Sequence, residues 1–401
     1  MNMRAIFLAL LATLTLSGRN TYAADYEVIV APSAFARQYA AITFPLPEDK
    51  TEWQLRQGDT VLPVQREGHD GIAVLPEVKK GTGQTWRLEP RADLPPKIDV
   101  HEEDGMLVFR AFNQELMRFH IAKSKPPAGI DPLFSRSGYI FPLYSPGGRE
   151  VLGDYSSVQP HQHGIWSAWS KTEVEGRTPD FWELRKKTGT VECAGLLRQW
   201  TGPVEAGFEA EMNYVDKTVT PSKTVLKERW IVSLRLDGWH DAQPYWVLDL
   251  YSIQTCATSA PVNFTWNFYG GVAFRGNEQW LRPEKAFVLD SDGATVRDQM
   301  NGSRVRWAFL GGDVDGKFAG VAMLSHPGNF QFPQNVRLHG VFPYLTMTPC
   351  QQTEWSITPD EPYIARYRFI IEDGQPVFQR LNLLWQDYAD PLHAEVQIVN
   401  P

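Results

Sequence analysis

Short alternating runs of apolar and polar residues, broken by glycine, proline or aspartate, constrain this chain more than any other feature. They ask for sheet rather than helix. YEVIVAP, TEWQLRQ, TVLPVQR, GIAVLPE and TWRLEP fill residues 25 to about 92 with strand-length pieces. PRADLPPK (90–97) is a proline-rich join, and the strands lengthen after it. MLVFRAF and LMRFHIA read as a hairpin around Asn113 and Gln114. KERWIVSLRL alternates cleanly, with Trp230, Val232 and Leu234 on one face and Arg229, Ile231, Ser233 and Arg235 on the other. A single clear helix is predicted, in PVFQRLNLLWQDYAD (376–390), where Val377, Leu381, Leu384 and Tyr388 recur at three to four. The expected fold is all-β: a small N-terminal β-sandwich over 25–95 and a large antiparallel β-sandwich, the expected catalytic domain, over 96–401.

The leading residues, 1–24, read as a secretory signal peptide. Arg4 supplies the positive end, Ala5 to Leu16 the apolar core, and Thr21-Tyr22-Ala23 the small-residue cleavage pattern. That core is too short for a bilayer, which takes about 20 apolar residues. The expectation is a periplasmic or secreted protein with no membrane insertion. A net charge of -8 argues against nucleic acid as a partner, because phosphate binding wants a basic face. Cys193, Cys256 and Cys350 match no zinc motif, and either one disulfide plus a thiol or three free thiols is compatible with them. The 14 Trp, 14 Tyr and 21 Phe suit two uses: flat faces for sugar rings, or the core of a large sandwich.

Four stretches carry residues with chemistry. In QPHQHGIWSAW (159–169), His161 and His163 share a face if the backbone is extended, since strand side chains repeat every two residues. Two such imidazoles can hold one ligand, transfer protons, or simply pack. Histidine titrates near neutrality, which suits acid and base work. In TPDFWEL (178–184), Asp180 and Glu183 flank Trp182, and either carboxylate can orient an imidazole or act as an acid; a capped turn begun by Asp180 is the structural alternative. In NFYGGVAFRG (267–276), Tyr269 and Arg275 flank a glycine pair, and the arginine suits a hydroxyl or carboxylate. LSHPGNFQFPQNVRLHG (324–340) is a polar loop with His326, Asn329, Arg337 and His339, where a third histidine can join the first two.

Taken in order, PLYSPGGREVLGDYSSVQPHQHGIW, DFWE, FYGGVAFRG and NGSRVRWAFLGGDVDGKFAGVAMLSHPGNFQFPQNVRLHG resemble the exported bacterial family labelled "methane oxygenase PmoA". The resemblance covers about residues 100–390. Where that family commonly has His-His-x-Gly, this chain has His161-Gln162-His163-Gly164, which leaves open which imidazole is functional. Methane oxidation is not expected, because a subunit of that enzyme sits in the membrane and no later segment here is long and apolar enough to cross one. The resemblance implies a galactose-mutarotase-like supersandwich, a fold that hosts epimerases, polysaccharide lyases and glycoside hydrolases.

Residues and resemblance together lead to an exported carbohydrate-active enzyme. His161 and His163 are expected as acid and base, with Asp180 or Glu183 as orienting or second catalytic carboxylate. Trp166, Trp169 and Trp182 are expected to stack on sugar rings. Tyr269, Arg275, His326, Asn329 and Arg337 are expected to hold hydroxyls or an acid group. No cofactor is required. The alternatives are a non-catalytic glycan-binding protein, and an enzyme using a divalent metal on His161 and His163 with His326 or Asp180.

Overall fold

The computed structural model describes residues 25–48, 51–91, 94–239 and 241–400. The expected signal peptide over 1–24 lies outside them. Among the described residues the chain is all-β, and Phe378–Ala389 is the single helix longer than one turn.

The large unit is two packed antiparallel sheets of eight strands each. The front sheet runs, edge to edge, through Asn335–Leu338, Tyr344–Thr348, Gly270–Arg275, Ile165–Trp169, Ile140–Leu143, Gln114–His120, Met106–Ala111 and Asp99–Glu103. The back sheet runs through Gly189–Trp200, Glu205–Asp216, Lys223–Arg235, Tyr245–Cys256, Tyr363–Asp373, Lys317–Ser325, Trp307–Val314 and Ala286–Asp290. The alternation read in KERWIVSLRL holds: Trp230, Val232 and Leu234 are fully buried between the sheets. The hairpin of Met106–Ala111 and Gln114–His120 turns through Phe112 and Asn113, both at positive φ. Phe378–Ala389 lays Leu381 and Leu384 on the outer face of the back sheet, against Val247, Phe309, Ala322, Leu324 and Ile370.

The small unit has a core of its own, built on Val28, Ile42, Phe44, Leu55, Leu75 and Trp86. Its sheet order holds a surprise. Leu392–Asn400, expected within the large domain, is a strand of the small one. It pairs antiparallel with Asp25–Val30 and parallel with Arg37–Pro45, and Leu392 and Ala394 complete the small core. The two units are joined by polar contacts. The Gln65 side-chain oxygen accepts from the backbone of Val204 and Glu205 at 3.0 and 2.9 Å, and buried Arg37 pairs with Asp387 at 2.8 Å. All three cysteines are free thiols.

Candidate functional site

Register on the front sheet decides which side chains face outward. Trp166 pairs with Ala273, Ala273 with Thr346, and Thr346 with Arg337, so these four form one row across four strands. Arg275 and Tyr344, two residues along, share that face. Ile165, Trp169, Phe274 and Met347 point inward instead, into the core between the sheets. Loops 153–164 and 176–188 fold over the outward row and enclose a cavity of about 360 Å³.

The first loop turns before it enters its strand. Gln162 N–H donates to Gln159 O at 3.0 Å, and Arg275 N–H then takes up Gly164 O at 2.8 Å. Gly164 has to be glycine: a Cβ there would lie 1.9 Å from the Ile140 carbonyl oxygen. The turn separates the two histidines, so the shared face expected of an extended HQH does not form. His161 lines the cavity, with its Nδ1 3.5 Å from Glu183 Oε1. Burial pushes its pKa down to about 3, helped by the positive Arg185, Arg136 and Arg275 and by the neighbouring His163 ring, so the ring is neutral at pH 7. His163 is fully buried behind it, Nδ1 2.6 Å from Asp154 Oδ1, between Tyr139 and the edge of Tyr155. Burial lowers its pKa as well, against the pull of Asp154.

The second loop is held by Asp180. Its Oδ1 accepts the N–H groups of Trp182 and Glu183 at 3.0 and 2.9 Å, and its Oδ2 meets Lys186 Nζ at 2.7 Å. This is the capped turn, and it engages both oxygens, so Asp180 positions the loop rather than offering a free carboxylate. The turn lays Trp182 on Trp166 and against Tyr344 and Tyr269, with centroids 5.0 to 5.7 Å apart. Glu183 caps the short turn Leu184–Lys186 and is left as the carboxylate nearest His161.

From the sheet come Tyr269 and Arg337. Arg337 Nη2 donates to the Tyr269 hydroxyl at 2.9 Å and its guanidinium lies 5.1 Å from that ring, which leaves the phenol proton free for a ligand. His339 lines the opposite wall. Its Nδ1 accepts from the backbone of Val341 and Phe342, both at 3.1 Å, so its proton sits on Nε2. Burial and Arg337 lower its pKa to about 4, which keeps it neutral. Gln159, Ser170, Lys171, Arg185 and Asn267 complete the lining. Three cations (Lys171, Arg185, Lys186) face two carboxylates there, so the cavity is locally positive on a chain of net charge -8.

Several expected residues fall elsewhere. Trp166 and Trp169 are fully buried, so neither offers a face to a ligand: Trp166 packs behind Trp182, and Trp169 donates Nε1–H to Gln254 across the core at 2.6 Å. Arg275 is also fully buried. It holds the first loop from below through Gln162, Ser156 and Glu278. His326 and Asn329 lie in the loop that follows the back-sheet strand Lys317–Ser325. His326 meets Tyr388 of the helix edge-on, and Asn329 clamps the backbone of Arg366. The third histidine that joins the site is thus His339, not His326. Among the described residues no three His, Cys, Asp or Glu side chains group to hold a metal ion, and His161 and His163 turn to different partners.

Among the atoms of the cavity lining, His161 Nδ1 is buried without a hydrogen-bond partner. A buried polar group is rarely left so, which makes this atom a point where a polar ligand fits. A family model described as "Family of unknown function (DUF6807)" matches residues 107–386, which takes in every residue of this site. No curated protein matches the sequence.

Proposed function

We propose, from the premise that the chain belongs to the DUF6807 family of unknown function and is therefore to be read from its own site, that it is a carbohydrate-active enzyme that abstracts a proton beside the carboxylate of an acidic sugar. The observation that carries this reading is the neutral, buried His161 set against Glu183 in a cavity with a surplus of positive charge. At about 360 Å³ the cavity lies at the small end of ligand sites, which run from about 300 to 1,000 Å³. Trp182 offers an aromatic wall, and Gln159 offers both a donor and an acceptor for hydroxyls.

The chemistry is elimination. Glu183, 3.5 Å from His161 Nδ1, favours the tautomer with its proton on Nδ1, which leaves Nε2 as the base. Nε2 takes the proton from the carbon next to the sugar carboxylate. The electron pair of that C–H bond forms a carbon–carbon double bond, the neighbouring C–O bond to the leaving sugar breaks, and the leaving oxygen takes its proton from Tyr269. Lys171 and Arg185 hold the substrate carboxylate. An anionic substrate also answers the low basicity of His161, because a negative charge placed beside the ring raises its affinity for a proton. Hydrolysis by two carboxylates is disfavoured by the commitment of Asp180 to backbone N–H groups and Lys186. The stacked sheets are in keeping with a galactose-mutarotase-like supersandwich, which we infer as the fold relationship.

The test is a product assay on acidic and neutral oligosaccharides with wild type, His161→Gln and Tyr269→Phe. An unsaturated product, seen by its ultraviolet absorbance and lost at least a hundredfold in His161→Gln, is the expected result. Release of saturated sugars replaces the elimination with hydrolysis. Binding that neither variant alters, with no product from wild type, leaves a glycan-binding protein.

A further inference from the structure

The chain leading to Tyr269 alternates in an unusual way. Asn267 and Tyr269 line the cavity, while Trp266 and Phe268, which alternate with them, point out to solvent, 47% and 40% exposed. Large aromatic side chains exposed to that degree are uncommon, and these two adjoin the rim of the polar cavity. Their rings meet edge to face, with centroids 4.8 Å apart at 70°.

The ledge is also held rigid. Asn267 clamps the loop, donating Nδ2–H to Tyr269 O at 2.7 Å and accepting from Tyr269 N–H and the Ser170 hydroxyl at 2.8 and 3.0 Å. Trp266 Nε1–H donates to Gln351 O at 3.0 Å. The Arg337 guanidinium that contacts Tyr269 lies 5.3 Å from the Phe268 ring as well. A side chain fixed before binding loses little entropy on contact, which is what a stacking platform needs.

We propose that Trp266 and Phe268 form a second sugar subsite, so that the substrate is an oligosaccharide longer than the cavity, with one ring in the cavity and the next stacked on Trp266. This rests on the carbohydrate reading of the cavity. A protein partner fits the ledge less well: two half-exposed rings, each offering at most about 150–250 Å², fall far short of the ~800 Å² per side of a stable protein interface.

The experiment is a length series of acidic saccharides, from monosaccharide to hexasaccharide, titrated calorimetrically into wild type, Trp266→Ala, Trp266→Phe and His161→Gln. Trp266→Ala weakens binding of the disaccharide and longer saccharides by about 2- to 10-fold and leaves binding of the monosaccharide, which occupies the cavity alone, unchanged. Trp266→Phe restores most of the affinity. An equal effect at every length, or none, overturns the ledge while leaving the cavity reading intact. Length-dependent binding that Trp266→Ala abolishes, without any turnover in wild type, keeps the ledge and overturns the catalytic reading. No binding of any saccharide by wild type overturns both.

Discussion

At the residue scale, the site turns on what burial does to charge. His161 is neutral because a desolvated imidazolium among arginines is costly, and the cost reappears as acid sensitivity. Its folded pKa of about 3 lies below the unfolded value of ~6.5, so between those limits only the unfolded state binds the proton. The stability this residue contributes is therefore present above pH ~6.5 and is lost as pH falls towards 3. His161→Gln removes the penalty. The variant is expected to gain stability relative to wild type on going from pH 7 to pH 4, with a slope approaching about 1.4 kcal/mol per pH unit, read from paired denaturant titrations. A constant difference across that range contradicts the assignment. How far the sequence disclosed these residues follows from local geometry. QPHQHGIW and DFWE do meet at one cavity, but choosing between His161 and His163 required knowing that Gln159–Gln162 turns, because a period of two holds only for extended backbone. His339 and His326 lay in one polar loop, and chain distance could not tell which sheet edge each would reach.

At the element scale, the strand Ile165–Trp169 does two jobs with alternate side chains. Trp166 backs Trp182 of the cavity wall, while Trp169 fills the core beside Phe264, Trp355 and Tyr363. Trp169→Ala is expected to cost about 3–5 kcal/mol of stability and to leave Gln254 without its buried donor, measured by denaturant unfolding. A loss below about 1 kcal/mol contradicts the core assignment. Strand existence, the hairpin at Asn113 and the C-terminal helix were legible because each rests on short-range periodicity and turn residues. Tryptophan was not, since its size and indole N–H serve core and binding wall alike, and only partner geometry separates Trp166 and Trp169 from Trp182.

At the scale of the whole molecule, two sandwiches were legible, but their connection was not. LHAEVQIV alternates like any strand, and alternation does not say which sheet a strand joins. A chain ending at Asp390 is expected to lose the small core selectively: limited proteolysis should cut within residues 25–91 while the large sandwich resists. Equal resistance of both units contradicts an essential role for the strand. Its position also sets an order of events. Residues 25–91 are made before the large sandwich, but they lack the strand that bridges Asp25–Val30 and Arg37–Pro45 until residues 392–400 have left the ribosome. At roughly 5–20 residues per second that is a wait of tens of seconds. The amino-terminal unit is thus closed late, and it can seal only after the whole large sandwich between its strands has been made, which makes it a built-in check that the large unit was synthesised.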